Sequence, residues 1–172
     1  MDAVLVPESA LAAEPNRGTV AAASRLLRVT EMGRKFDSIA TQQSRDIVRT
    51  YASIVSMSAD VELPAHIRQS IRSCYSEVYA WKNFVGGIAE VFAAHLSDKE
   101  LGLLIDFYQN RGLPPMEIPT FKQIISKANK IEQGSLDYIY GNSEGCLERD
   151  VEIIMGYLAS DQAKPNRNLV AE

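Results

Sequence analysis

The sequence has no surplus of positive charge and no long apolar run. Its 18 Lys and Arg residues are outnumbered by 22 Asp and Glu residues, which leaves a net charge of -4. Phosphate backbones are bound by basic faces, so this balance argues against nucleic acid as a partner. A membrane-spanning helix needs roughly 18 or more consecutive apolar residues, and the sequence contains no such run. We therefore expect neither nucleic-acid binding nor a transmembrane segment.

Motifs of the common catalytic and metal-binding sites are also missing. The histidines, His66 and His95, belong to no H-E-x-x-H pattern, and the sequence has neither a G-x-S-x-G elbow nor a phosphate-binding loop. His95 is expected at a helix C-terminus, where a positive charge is favoured. The acidic residues that cluster late in the chain are interpreted as a solvated face; they are Glu144, Glu148, Asp150 and Glu152. The sequence predicts no catalytic residue, metal site or cofactor.

The two cysteines, Cys74 and Cys146, are far apart in the sequence and have no C-x-x-C spacing. That spacing argues against a zinc site or a thioredoxin-type motif. Two interpretations stay open. In an exported protein the cysteines would form one long-range disulfide, worth about 2–4 kcal/mol. In a cytoplasmic protein they would be small apolar core residues.

Helical periodicity dominates a chain of ordinary globular composition. Hydrophobic residues make up 46% of the 172 residues and charged residues 23%, close to the averages of folded domains. Apolar residues recur at intervals of three and four, and no alternating strand pattern of useful length occurs. The sequence predicts an all-α, single-domain bundle of about six or seven helices over residues 19–160. Residues 1–18 are expected to be a disordered or signal-remnant tail, and 161–172 a polar tail.

The individual helices are predicted from the apolar repeats and from their Pro and Gly punctuation. The first pattern starts at Thr19 and has a break or kink between Thr30 and Gly33. Further helices are predicted over Ser44 to Ser58, Pro64 to Phe92, Thr120 to Tyr140 and Leu147 to Leu158. Gly86 and Gly87 either weaken the Pro64 helix or let a neighbouring helix approach closely.

The segment from Leu96 to Gly112 carries the clearest helix signals. Ser97 and Glu100 have the spacing of a capping box, and Gly112 with Pro114 marks the end. The apolar side of this helix is broad, so we expect Phe107 and Tyr108 to anchor a central helix rather than to line a site. For a buried Phe107, the change Phe107→Ala would cost about 3–5 kcal/mol.

The first residues resemble the end of an export signal. "AVLVPESALAAEP" combines apolar residues with Pro and Ser, followed by the A-x-A pattern Ala10-Leu11-Ala12. Under this hypothesis the mature protein starts near Ala13. The alternative is an ordinary alanine-rich tail.

The densest group of aromatic residues consists of Tyr75, Tyr79, Trp81 and Phe84. At helical spacing such residues usually fill a core. The alternative is an apolar groove that holds a lipid tail or a partner helix. These four residues are the candidate binding residues.

Two segments resemble the bacterial domain-of-unknown-function family 2059. They are "ASRLLRVTEMGRKFDSIATQ" and "IAEVFAAHLSDKELGLLIDFYQNRG", and the resemblance covers residues 22–130. Its core is the capped helix start at Leu96–Leu101 and the later Phe107-Tyr108 pair. The chain departs from the family at the following turn, where Gln109–Gly112 replaces a Ser-Pro-x-Gly turn. The resemblance implies an all-helical, exported, commonly periplasmic protein, and it implies no catalytic residues.

Taken together, the patterns predict a non-enzymatic periplasmic binding or interaction protein that uses an apolar groove or an exposed helix face. Its partner would be a protein or a small apolar ligand, and a homodimer is possible. A cytoplasmic location is the alternative to the periplasm. The alternative function is an enzyme whose site is assembled from carboxylates and tyrosines distant in sequence.

Overall fold

The structure, a computed structural model, describes residues 16–163, which form an all-α bundle of seven helices without a β-strand in that range. The helices are α1 (Arg17–Val29), α2 (Met32–Ala59), α3 (Ala65–Val78), α4 (Val85–His95), α5 (Asp98–Tyr108), α6 (Ile118–Gly141) and α7 (Cys146–Ala159). Short 3-10 turns lie at Trp81–Asn83, Pro115–Glu117 and Asp161–Ala163. This confirms the predicted fold class. Of the predicted disordered or signal-remnant tail, residues 1–15 lie outside the described residues, while Arg17 and Gly18 already belong to α1. Of the predicted polar tail, residues 164–172 lie outside them.

The predicted break near residue 30 is confirmed, but the helix that follows is longer than expected. α1 ends at Val29, and the left-handed backbone of Glu31 (φ 53°) turns the chain into α2. The prediction of a separate helix over Ser44–Ser58 is wrong, because α2 runs without interruption for 28 residues. Gly33 lies in the first turn of α2, where the cost of a glycine inside a helix is small compared with the packing of that helix.

The predicted helix from Pro64 to Phe92 is also wrong, because it is divided into α3 and α4. α3 ends at Val78, and the side-chain amide of Asn83 donates hydrogen bonds to the carbonyls of Glu77 (2.7 Å) and Val78 (3.1 Å). Carbonyls in the last turn of a helix have no partner within the helix, so this amide satisfies two of them. The backbone N–H of Trp81 donates to the Asp37 carboxylate at 2.9 Å and holds the intervening turn against α2.

The buried residues form two clusters. The first combines α1, α4, α5 and α6 and includes Phe84, which is fully buried and contacts the rings of Phe36, Tyr79 and Tyr138. The second combines α2, α3 and α7 around Ile71. Phe36 lies near the start of α2 and packs on the first cluster, so α2 joins the two halves of the bundle.

The predicted capping box of α5 is present and is tied to α6. The Ser97 hydroxyl accepts from the Glu100 backbone N–H (3.2 Å), and the Glu100 carboxylate accepts from the Ser97 N–H (2.8 Å). The Lys127 ammonium donates to both Glu100 oxygens, at 2.6 and 2.8 Å. Burial alone would raise the pKa of Glu100, but these hydrogen bonds and the nearby charge of Lys127 lower it below its usual value. The carboxylate therefore stays charged and links α5 to α6.

The end of α5 differs from the expectation. Leu101 and Ile105 are buried as predicted, but the helix ends at Tyr108, and 41% of Phe107 and 52% of Tyr108 are exposed. The prediction that these two aromatics are buried anchors is wrong, and with it the cost of 3–5 kcal/mol for Phe107→Ala. Phe107 contacts the ring of Phe121 at 5.3 Å between centroids. The apolar side of α5 is therefore covered over part of its width.

α4 and α6 approach each other closely at two glycines. The ring of Tyr138 on α6 lies directly over Gly87 of α4, in space that a Cβ on Gly87 would occupy. In the opposite direction, Val91 of α4 packs on Gly134 of α6, where a Cβ would lie 3.0 Å from a Val91 methyl group. Of the two roles considered for Gly87, close approach of a neighbour is the one observed. A Cβ added to Gly86 would have no neighbouring atom within 4 Å.

Gly87→Ala should destabilise the protein by about 1–3 kcal/mol, because the added methyl group overlaps the Tyr138 ring and forces the two helices apart. Gly86→Ala is the matched control. It should be neutral or stabilising by up to about 1 kcal/mol, because alanine has the higher helix propensity and the site is open. Urea denaturation of both variants measures the difference. Equal stability of the two variants would contradict the observed packing.

Candidate functional site

A long apolar groove of about 510 Å³ lies between α6 and the corner where α1 meets α2. α6 packs on α4 and α5 but makes few contacts with α1 or α2, so a gap remains on that side. We call this gap the main groove. One wall is the α6 face made of Phe121, Ile124, Ile125, Ala128, Ile131, Glu132, Ser135 and Ile139. The other wall and the floor consist of Leu27, Met32, Phe36, Trp81, Ile88, Phe92, Leu96, Leu104 and Tyr108.

The surface of the main groove is apolar although much of it faces solvent. All its lining residues except Glu132 and Ser135 are apolar or aromatic. Met32, Tyr108 and Ile125 belong to the exposed large hydrophobic residues of the protein. Contiguous exposed apolar surface is uncommon on soluble proteins and marks sites of interaction. The sequence predicts that Tyr108 anchors a central helix rather than lines a site, but in the structure it lines the main groove.

A second groove of about 300 Å³ adjoins the first. This side groove lies between α2, the end of α3 and the last turns of α6. Its lining residues are Phe36, Ile39, Ala40, Gln43, Ser44, Ile47, Tyr75, Tyr79, Leu136, Ile139 and Tyr140. Phe36 and Ile139 line both grooves. The two grooves therefore meet at this pair of side chains.

The four candidate binding residues are divided among these places. Trp81 lines the main groove and packs against Phe36, with ring centroids 5.4 Å apart and the ring planes tilted by 50°. Tyr75 and Tyr79 line the side groove, with stacked rings at 6.0 Å. Phe84 is fully buried and lines neither groove. The structure thus brings three of the four to groove walls and places the fourth in the core.

Asp150 is a buried carboxylate that the sequence did not reveal. The prediction of a solvated acidic face is wrong for this residue, which is 0% exposed, while Glu144, Glu148 and Glu152 are exposed. The Tyr75 hydroxyl donates a hydrogen bond of 2.9 Å to one Asp150 oxygen, and the other oxygen has no protein partner. Its spacing of four residues from Cys146 and from Ile154, both buried on α7, could have indicated burial.

Burial governs the titration of this cluster. It raises the pKa of Asp150, and hydrogen bonds from Tyr75 and Tyr51 offset part of that effect. Burial, followed by contact with Asp150, also raises the pKa of Tyr75, so its hydroxyl remains a donor. Asp150 lines none of the grooves described here. The arrangement joins α3 to α7 inside the second cluster and gives a substrate no access to the carboxylate.

Cys74 and Cys146 form a disulfide that links α3 to α7, with 5.8 Å between their Cα atoms. Of the two interpretations of these cysteines, the structure agrees with the long-range disulfide. A more polar depression of about 440 Å³ borders it and is lined by Tyr75, Tyr79 and residues 143–148. Glu144 and Glu148 lie in that wall, so the depression does not offer the positive charge that an anion requires.

α7 also presents an apolar stripe to solvent. Leu147, Val151 and Met155 follow each other at intervals of four residues and are 59%, 50% and 60% exposed. Helix faces of this kind are covered in protein complexes.

Other kinds of site find no support in the part of the chain that the structure describes. Within residues 16–163, no group of three or more His, Cys, Asp or Glu side chains is arranged to hold a metal ion. In the same range, no helix is long and apolar enough to cross a membrane. Comparison with known proteins adds no assignment, since no protein-family model, no curated protein and no solved structure matches the chain.

Asp150→Asn should change how stability depends on pH. Because the pKa of Asp150 is raised on folding, the buried charge costs stability above that pKa, and the cost disappears as the pH falls towards the usual value of 3.8. The unfolding free energy of the wild type minus that of Asp150→Asn should therefore increase between pH 7 and pH 4. Urea denaturation across this range measures it, with Glu152→Gln on the exposed side of α7 as control. A difference that falls over the same range would contradict the raised pKa.

Proposed function

We propose that the protein is a non-enzymatic binding protein that holds a small, elongated apolar molecule in the main groove. The groove itself carries this proposal, with a volume of about 510 Å³ and an almost wholly apolar lining. Sites for small molecules typically measure about 300–1,000 Å³ and are mostly apolar with few polar groups. The resemblance to domain-of-unknown-function family 2059 stays a prediction, because no family model matches the chain.

The dimensions of the groove favour a single aliphatic chain over a partner helix. The lining residues of α6 extend from Phe121 to Ile139, a distance of about 27 Å at the helical rise per residue. A volume of about 510 Å³ spread over this length describes a long and narrow groove. A helix with its side chains is about 10–12 Å across, so it would sit only partly within the groove.

The second function considered is an enzyme whose site combines carboxylates and tyrosines. Asp150 and its neighbours Tyr75 and Tyr51 are such a combination. Asp150 is fully buried and lines no groove. The lining of the main groove contains one carboxylate, Glu132, and one tyrosine, Tyr108, and both side chains are exposed to solvent rather than desolvated. General acid–base chemistry needs positioned titratable groups that reach the substrate, so binding is the function that the groove supports better.

Binding in the main groove can be tested with N-phenyl-1-naphthylamine, an uncharged probe that becomes fluorescent in apolar surroundings. The purified protein should bind the probe, and Ala128→Phe should weaken binding at least about tenfold, because the ring fills the groove from an exposed position on α6. Ala21→Phe, at an exposed position of α1 outside the grooves, is the matched control.

The melting temperatures of both variants should remain close to that of the wild type. Absence of probe binding by the wild type, or equal binding by both variants, would overturn the proposal. Light scattering of the same samples reports whether the protein is the homodimer considered above, which would leave the main groove open if it forms through α7.

We place the protein in an oxidising compartment, the periplasm, rather than the cytoplasm. The A-x-A pattern near residue 12 and the Cys74–Cys146 disulfide support this location, since structural disulfides persist mainly in exported proteins. Thiols trapped in intact cells and then counted on denatured, unreduced protein should number zero. Two free thiols would exclude the bridge and remove this support for export.

A further inference from the structure

The main and side grooves meet at Phe36 and Ile139, and from their lining we infer that together they form one site selective for an uncharged single-chain lipid with a hydroxyl or ester end group. The inference rests on the proposed function and specifies its ligand. The combined site follows α6 from Phe121 to Tyr140, with volumes of about 510 and 300 Å³ in its two parts. The main groove takes the aliphatic chain, and the side groove takes the polar end.

The polar groups of the site are distributed unequally. Three of the 17 residues that line the main groove carry a carboxylate or a hydroxyl, namely Tyr108, Glu132 and Ser135. Five of the 11 residues that line the side groove carry an amide or a hydroxyl, namely Gln43, Ser44, Tyr75, Tyr79 and Tyr140. Buried polar groups of a ligand need hydrogen-bond partners, and neutral amides and hydroxyls can supply them to a hydroxyl or an ester. This asymmetry gives the ligand its direction in the site.

The charges of the site exclude an anionic head group. Among the described residues that line the two grooves there is no Lys, Arg or His, and Glu132 contributes a negative charge to the main groove. A carboxylate or phosphate in the side groove would lose hydration without gaining a cation, and Glu132, one turn of α6 before Leu136 of that groove, adds a repelling negative charge. A fatty-acid anion and its uncharged ester, although they share the same chain, should therefore bind with different affinities.

Displacement of bound N-phenyl-1-naphthylamine by two ligands of equal chain length tests the selectivity. At pH 8, 1-monomyristoyl-glycerol should displace the probe at about tenfold lower concentration than myristate. Glu132→Gln should improve displacement by myristate several-fold and change displacement by the ester much less, because the ester carries no charge. Glu90→Gln, exposed on α4 and outside both grooves, should leave both ligands unchanged.

The continuity of the two grooves is tested by Ala40→Phe, which fills the side groove alone. This variant should weaken the ester at least about fivefold, while probe binding in the main groove is retained. The selectivity would be overturned if myristate displaced the probe as well as the ester does and if Glu132→Gln did not change this result. An ester affinity unaffected by Ala40→Phe would overturn the combined site. Failure of the proposed function would appear differently, as the absence of probe binding itself.

Discussion

The close approach of α4 and α6 at Gly87 and Gly134 is the contact on which the rest of the structure depends. Tyr138 occupies the space of a missing Cβ on Gly87, and Val91 packs onto Gly134 in return. These reciprocal contacts hold α6 against α4, and the Glu100–Lys127 pair fixes its other end to α5. A helix held in this way on one side does not also reach α1 and α2. The main groove is the space that this packing leaves open.

The two halves of the bundle are stabilised by different interactions. The first half has a broad apolar core around Phe84, whereas α7 in the second half contributes three buried residues, Cys146, Asp150 and Ile154. One of these is a carboxylate, whose burial costs free energy, so the apolar interface of α7 is small. The disulfide to Cys74 and the hydrogen bond from Tyr75 supply additional stability to this half of the bundle. The grooves lie along α6 and the first half of α2, where the apolar lining faces solvent rather than another helix.

Much of the fold could be predicted because it depends on local signals. The capping box at Ser97 and the break between Thr30 and Gly33 depend on a few neighbouring residues, and the apolar repeats define helix faces wherever the helix packs. The division between α3 and α4 could not be predicted in this way, because the apolar spacing continues across it. Two contacts decide where the chain divides. The side-chain amide of Asn83 donates to the carbonyls at the end of α3, and the Trp81 N–H donates to the carboxylate of Asp37, which lies 44 residues earlier in the sequence.

The sequence by itself determined the class of fold, the start of α5 and the apolar face of α6, because helical periodicity and capping are properties of neighbouring residues. The helical repeats also allow Cys74 and Cys146 to face the core. The tertiary structure decided which apolar faces became core and which became groove. Ile124 and Ile125 are neighbours on α6 and both line the main groove, yet Ile124 is buried against the first cluster and Ile125 is exposed. The apolar repeat does not distinguish them, because burial depends on where the neighbouring helices lie.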